Sequence, residues 1–389
     1  MGTVPEGVYA VQQAMRAAAP YAVVEALRDA VTLHFAIEEM EVLLADYALV
    51  ALRPVLDPLP PGAPGVTIDG TPAGRCFAAQ LTQLDGDRLA HFPVSADGER
   101  IGVLRVRFTG PPGAAALDDL AQIATALGHA LRGADRITDR YQRARRMARL
   151  TLAAEMQWGL LPGCGHQGEG YHLAGQLEPA YEVYGDNFDW TCGPRQLMLS
   201  VTDGMGEGME AALLTTLAIT ALRNARRSGA GLEEQAGLAD EAIYAQYGGG
   251  RHVSTLLLGF DATTGHVTMV DAGSPRVLLM RNGRVSEVEL DKQLPLGMFG
   301  NTAYTEQHLD LAPGDRLIVA SDGVYTTRSH AGAEFGGTLR GLVKSTRMQP
   351  ADEAVRTMIR GLLDFRRGTE VVDDAVVVCL DWTPDTKTG

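Results

Sequence analysis

Ser200-Val-Thr-Asp-Gly-Met-Gly-Glu-Gly208 is the stretch on which the reading of this chain turns. It closes an apolar run, Gln196–Val201, that reads as a strand, and it leads into an Ala/Leu-rich helical pattern, Glu207–Ser228, stopped by Gly229. Asp203 therefore stands at a strand end. The glycines after it let the backbone approach a bound ion closely, and a glycine carbonyl can itself be a ligand. The free N–H groups of the following helix start favour an anion such as phosphate. A single Asp-Gly is commonly just a turn. The weight rests on the recurrence of the same context elsewhere.

It recurs three times. Asp186 sits in Tyr184-Gly185-Asp186, Asp322 in Ala320-Ser-Asp-Gly323, and the Asp373-Asp374 pair stands just before the apolar run Ala375–Cys379. Each acid borders a strand end or a tight glycine turn. Carboxylates placed so can converge on one edge of a sheet, the oxygen cage that hard cations such as Mg²⁺ or Mn²⁺ prefer. Two such ions roughly 3.5–4 Å apart can clamp a phosphoryl group. No His or Cys cluster competes. Cys76, Cys164, Cys192 and Cys379 lie far apart with no CxxC, which argues against a zinc site or a disulfide framework and fits a reducing compartment.

Around these acids the residues 170–383 are strand-rich. Helical stretches are expected at Glu207–Ser228 and Leu232–Tyr247, then strands at Val253–Phe260, Val267–Ala272, Val277–Arg281, Arg284–Leu290, Arg316–Ala320 and Ala375–Trp382. Asn282-Gly283 is a strong hairpin signal. Strands, two helices, then strands point to an α+β fold rather than a parallel βαβ sheet.

Two segments precede this one. Residues 1–112 read as a small α+β domain. Helical text from Val11 to about His34 gives way to an apolar run at Met40–Leu52, a Pro/Gly loop at Pro60–Gly65, and strands at Leu81–Pro93 and Ile101–Phe108, with an Asp97-Gly98 turn. Residues 113–162 read as a helical linker, with no proline from Gly113 to Pro162. Apolar residues recur at Leu117, Leu120, Ala124, Leu127, Leu131, Ala134, Ile137, Tyr141, Ala144, Ala148 and Leu152. That is coiled-coil spacing, slipped at Leu131–Ala134–Ile137. The segment is also arginine-rich. It reads equally as a dimerising linker or as a helix packed on its own domain with a basic outer face.

Composition sets outer limits. With 46% hydrophobic and 21% charged residues, the 389-residue chain is ordinary for a globular protein of two domains. A net charge of −14 argues against nonspecific nucleic-acid binding. No apolar run of about 18 residues and no signal-like start are visible, so no membrane association is expected and the location expected is cytoplasmic.

Residues 170–383 resemble the catalytic domain of the metal-dependent PPM protein phosphatases, in the SpoIIE/RsbU branch. The motif V-G-G-D-x-x-D appears as Val183-Tyr-Gly-Asp-Asn-Phe-Asp189, and D-x-x-G-H-G-x-x-A-A as Asp203-Gly-Met-Gly-Glu-Gly-Met-Glu-Ala-Ala212. N-A-G-H-x-P appears as Asp271-Ala-Gly-Ser-Pro-Arg276, P-L-G as Pro295-Leu-Gly297, T-D-G as Ser321-Asp-Gly323, and D-D-x-T as Asp373-Asp-Ala-Val376. Upstream, Glu155-Met-Gln-Trp-Gly-Leu-Leu-Pro162 is similar to the family's entry helix. Residues from about 20 to 112 are similar, more weakly, to a GAF sensor domain. There Gly70-Thr-Pro-Ala-Gly-Arg-Cys76 occupies the loop near the ligand pocket, with Cys76 read as a buried structural cysteine rather than a redox contact.

The resemblance implies an αββα sandwich behind a long linker helix and a GAF-like regulatory domain. It implies an Mn²⁺- or Mg²⁺-dependent serine/threonine phosphatase with two divalent ions. Asp203 would bridge both and activate water, Asp186 and the Gly204 carbonyl would serve one, and Asp322 and Asp373 the other. Asp373 is favoured over Asp374 by the motif, with one residue of slippage open. The implied partner is a phosphorylated protein such as a STAS-type anti-sigma-factor antagonist, and a homodimer through the linker helix and GAF-like domain is expected. Three departures stand out. Tyr184 replaces a glycine and is expected to crowd the backbone. Glu207 and Ser274 replace histidines without removing a ligand. The alternatives are a catalytically weak partner-switching protein on the same fold and a different metal-dependent phosphohydrolase. Retention of all the acids disfavours an inactive form.

Overall fold

The computed structural model describes residues 6–178, 184–273, 275–367 and 373–384. Val183 and Ser274 of the quoted motifs lie outside these residues. The chain divides into two compact units, Met1–Arg149 and Leu150–Gly389.

The first unit opens with α1 (Glu6–Ala17), a 3-10 turn at Pro20–Ala22 and α2 (Val23–His34). Strands β1 (Ile37–Ala45), β2 (Ala51–Pro54) and β3 (Val66–Thr67) follow, then α3 (Pro72–Ala79), β4 (Gln83–Asp85), β5 (Leu89–Ala96), β6 (Glu99–Phe108), α4 (Ala114–Ala134) and α5 (Arg140–Arg145). The strands form one antiparallel sheet in the order β3-β2-β1-β6-β5-β4. Strand alternation assigns its two faces. Val42, Leu44, Phe92, Leu104 and Val106 face a core built with α1, α2 and α4. Leu43, Ala45, Leu52 and Val103 face the other way, onto α3 with Phe77 and Cys76. Cys76 is fully buried, and burial pushes its thiol up to about 12, so it is an inert packing residue.

The expected unbroken helix over 113–162 does not form. The residues split into α4, α5 and, in the second unit, α6 (Leu152–Leu160). The seam residues Leu120, Ala124, Leu127 and Leu131 are buried against their own sheet. Burying them there outcompetes pairing with a second chain, so a coiled-coil dimer has no seam left on that stretch. Beyond the slip the pattern is broken, with Ile137 and Leu152 exposed. The arginines are spent locally: Arg132 pairs with Asp97 and Glu99, and Arg140 with Glu25.

After α6 the second unit runs β7 (Gly165–Gly168), β8 (Tyr171–Glu178), β9 (Asn187–Cys192), β10 (Gln196–Gly204), α7 (Gly208–Arg227), α8 (Leu232–Tyr247), β11 (Val253–Asp261) and β12 (His266–Ala272). It continues with β13 (Arg276–Arg281), β14 (Arg284–Glu287), β15 (Gln307–Asp310), β16 (Arg316–Ala320), α9 (Asp322–Thr326), α10 (Gly336–Ser345), α11 (Ala351–Phe365) and β17 (Ala375–Trp382). Asn282 and Gly283 take positive φ of 52° and 73°, the hairpin turn their sequence demands. Two sheets result, β15-β12-β11-β10-β9 and β14-β13-β16-β17-β8-β7. Their facing residues, among them Leu199, Val201, Leu256, Leu317, Val319, Val376 and Val378, make the central core. The alternate residues face outward: Leu257 and Val270 onto α7 and α8, Ile318, Val377 and Cys379 onto α10 and α11. The layers are therefore α, β, β, α. Helices α10 and α11 were not expected from the sequence. No helix among the described residues is long and apolar enough to cross a membrane.

Candidate active site

The antiparallel pairing brings the acidic positions to one rim. In β9–β10, Thr202 lies opposite Asn187, so Asp203 and Asp186 end up side by side. In β16–β17, Ala320 lies opposite Val377, which brings Asp322, opening α9, near the acids before β17. One carboxylate oxygen each from Asp186, Asp203 and Asp322 falls within 4.8 Å of the others. Asp373 stands beside this group. Burial first, and then the charge of Asp322, raise its pKa to about 6. Burial also leads the rise at Asp186, well above the carboxylate range, with Asp203 and Asp374 adding repulsion and the Ser321 hydroxyl opposing it. Asp322 is raised as well, again chiefly by burial.

These acids are short of partners. Asp186 is 1% exposed and has the Ser321 hydroxyl nearby, yet among the described residues neither of its carboxylate oxygens nor Asp322 Oδ1 takes a hydrogen bond of normal geometry. Unsatisfied buried oxygens cost about 1–3 kcal/mol each, more when charged. A divalent cation with oxygen preference supplies what they lack. The donor set therefore fits the expected ions. Asp186, Asp203, the Gly204 carbonyl, Asp322 and Asp373 are the groups that would hold them.

Asp374 does something different. It is fully buried, and its Oδ2 accepts the backbone N–H groups of Tyr184 (2.5 Å), Gly185 (2.8 Å) and Asp186 (3.1 Å). It thus holds the loop that carries Asp186. Burial pushes its pKa up to about 7 against these three donors. Tyr184 is a donor in this cradle through its backbone N–H and is not among the residues with positive φ. Gly185 and Gly204 are required by close approach. A Cβ on Gly185 (φ +134°) would sit 2.2 Å from the Gly204 carbonyl oxygen, and one on Gly204 would sit 2.2 Å from Thr215 Oγ1.

Three structural acids escaped the sequence reading. Asp189 ends the V-Y-G-D-N-F-D stretch, but its buried carboxylate takes Arg223 at 2.7 and 3.1 Å and Arg226 at 3.1 Å, tying β9 to α7. Asp240 on α8 accepts the N–H groups of Gly297 (2.7 Å) and Thr302 (3.1 Å), which fixes the Pro295-Leu-Gly297 turn. Asp271 accepts the Gly273 N–H at 2.9 Å. Helix α6 reaches the same rim: Asn187, next to Asp186, donates to the Gln157 side chain (2.5 Å) and carbonyl (3.2 Å). Glu207 is exposed at the start of α7 and caps nothing.

The comparisons agree with this architecture. Residues 193–383 match the family described as Stage II sporulation protein E (SpoIIE). The PP2C phosphatase domain with a regulatory fragment of SpoIIE from Bacillus subtilis superposes with a TM-score of 0.50 at 19% identity, over 56% of this chain and 64% of that one. The SiaA-PP2C domain of Pseudomonas aeruginosa gives 0.51 at 19% identity, over 59% of this chain and 94% of that one. The RsbU and RsbW domains of a Mycobacterium tuberculosis protein are 24% identical, with a TM-score of 0.49, over 55% of this chain and 60% of that one. The chain thus spans less than two thirds of the Bacillus and Mycobacterium structures. No curated protein sequence matches it. The C-terminal unit therefore carries the PP2C-type sandwich fold, and its residues 193–383 are similar to the SpoIIE family.

Proposed function

We propose that the C-terminal unit is an Mn²⁺- or Mg²⁺-dependent phosphatase acting on phosphoserine or phosphothreonine of a signalling protein, and that the N-terminal unit regulates it. The observation that carries the reading is the convergence of Asp186, Asp203 and Asp322 within 4.8 Å, with both Asp186 oxygens and Asp322 Oδ1 taking no hydrogen bond from the described residues. Bound there, divalent ions would neutralise the carboxylates, polarise a phosphoryl oxygen and lower the pKa of an attacking water. The chain's own part is placement. Asp203 lies centrally, Asp186 is fixed by the Asp374 cradle, and the N-terminus of α7 offers N–H groups to an anion. No protein nucleophile is needed.

A STAS-type antagonist is the proposed substrate, on the resemblance to the SpoIIE/RsbU branch. The GAF-like reading of the first unit is supported by its six-stranded antiparallel sheet, helical on both faces. Regulation through α6 is supported by the Gln157–Asn187 hydrogen bonds one residue from Asp186.

The test is Mn²⁺-dependent hydrolysis of p-nitrophenyl phosphate and of a phosphoserine peptide. Asp203→Ala and Asp322→Ala are each expected to lower kcat at least a hundred-fold. Hydrolysis that survives both substitutions, or that needs no metal, would sink the reading.

A further inference from the structure

We propose that Arg251 is the side chain that receives the substrate's phosphoryl group, and that Glu210 holds it at the mouth of the carboxylate site until substrate arrives. This rests on the phosphatase reading and adds a specificity residue to it. Strand register supplies the position. Val253 lies opposite Gly204 and Ser254 opposite Asp203 in the β10–β11 pair. Arg251, two residues before Val253, therefore falls beside the residues just past Gly204. A Cβ on Gly206 would sit 3.1 Å from Arg251 Nη1, so the guanidinium lies over the glycine turn between Asp203 and α7. Its Nη2 pairs with Glu210 in the first turn of α7.

The pair is built to exchange. The side chains are 30% and 71% exposed, so solvent screens the ion pair and it is weakly held. A phosphate group is a stronger anion than a carboxylate for the same planar fork, which binds its oxygens bidentately. Charge balance calls for such a group. Asp186, Asp203, Asp322, Asp373 and Asp374 crowd one rim, so even divalent ions bound there leave little positive charge to attract a phosphomonoester dianion. A cation outside the ligand set must do that. Lys292 is a second one near the rim, where its charge lowers the pKa of Asp322 and Asp271. Arg251 alone of the two has a guanidinium placed over the turn that opens α7.

The test uses the full chain loaded with Mn²⁺. Inorganic phosphate is titrated calorimetrically, while p-nitrophenyl phosphate and a phosphoserine peptide are assayed in parallel. Arg251→Gln is expected to weaken phosphate binding about ten- to hundred-fold and to raise KM for both substrates alike, with Mn²⁺ affinity unchanged. Arg251→Lys should recover part of the loss, and Glu210→Gln should tighten phosphate severalfold by freeing the guanidinium. Unchanged phosphate affinity in Arg251→Gln overturns the proposal. So does a loss confined to the peptide, which would make Arg251 a protein-docking residue. Parent protein that binds phosphate through Arg251 but hydrolyses nothing would refute the phosphatase reading and leave this one standing. If Arg251→Gln fails to fold, the Lys and Glu210→Gln variants decide, and no change in either overturns it.

Discussion

Asp374→Asn should separate two properties that usually fall together, stability and metal affinity. The substitution keeps the volume of a fully buried side chain and removes its charge. Two effects oppose each other. The carboxylate accepts three backbone N–H groups of the 184–186 loop. Charge-assisted bonds exceed neutral ones by about 1 kcal/mol each, so neutralising the acceptor weakens the loop's anchorage by about 3 kcal/mol. Against this, the rise of the Asp374 pKa from 3.8 to about 7 represents about 4 kcal/mol working against the ionised form well above that pH. That net rise already contains the three N–H donors, so without metal, at pH 8, removing the charge should raise the melting temperature. With metal the repulsion is already neutralised, so only the loss remains, and it falls on the loop that positions Asp186. Calorimetric Mn²⁺ affinity should then drop ten-fold or more. The assay pairs scanning calorimetry in EDTA with Mn²⁺ titration, run beside Asp373→Asn. Asp373→Asn should also lose affinity and should likewise raise the metal-free melting temperature, because a raised carboxylate is removed and no backbone donor to the loop is orphaned. Mn²⁺ affinity unaltered in Asp374→Asn would refute the cradle. A metal-free collapse by several kcal/mol would refute the balance of terms.

The pH dependence without metal follows from the same groups. Burial raises Asp186, Asp322, Asp373 and Asp374, so between pH 4 and about 7 the folded unit holds protons that the unfolded chain has released. Stability must then fall as pH rises, and the melting temperature in EDTA should drop from pH 5 to 7.5, with a shallower slope in Asp373→Asn. A slope unchanged by that substitution would count against the assignment. Gln157→Ala, which leaves the buried Asn187 amide without its side-chain acceptor, should cost about 1–3 kcal/mol and weaken Mn²⁺ binding as well; a purely local effect would leave Mn²⁺ affinity alone. Arg316 is 4% exposed and bidentate to Asp381 at 2.6 Å, with further bonds to the Thr346 and Gln349 carbonyls. Arg316→Met should cost about 3–5 kcal/mol in denaturant unfolding, much of it recovered on adding Asp381→Leu, with Mn²⁺ affinity unmoved.

Much of the sandwich was legible because its strands obey strict alternation and its turns carry their own chemistry. Leu232–Tyr247 and Arg316–Ala320 fall where the sequence puts them. Asn282-Gly283 fixes one hairpin, and the site acids stand at strand ends that antiparallel pairing then gathers. What failed was the 113–162 segment. A seam at three- and four-residue steps specifies an apolar stripe, not its partner. Here the partner is a sheet of the same unit, because Phe92, Leu104 and Val106 present an apolar face that needs cover. The sequence period contains no information about which surface wins.

The acids teach the same lesson at finer grain. Asp186, Asp189, Asp240, Asp271 and Asp374 are all buried aspartates, and in sequence nothing tells a ligand from a scaffold. Their partners do. Asp189 meets two guanidinium groups, while Asp240, Asp271 and Asp374 meet backbone N–H groups, all supplied by the protein itself. Asp186 has only the Ser321 hydroxyl nearby, and among the described residues neither of its oxygens takes a hydrogen bond of normal geometry, which costs free energy in a buried group. A group kept in that state implies a guest. The scaffold acids explain why the guest's place is well defined: Asp374 sets the loop before β9, Asp189 binds β9 to α7, and Asp240 sets the turn after Pro295. The site is therefore two concentric sets of carboxylates. The outer set is tied to the chain, although Asp374 Oδ1 takes no hydrogen bond from the described residues, and the inner set is the one that ions would complete.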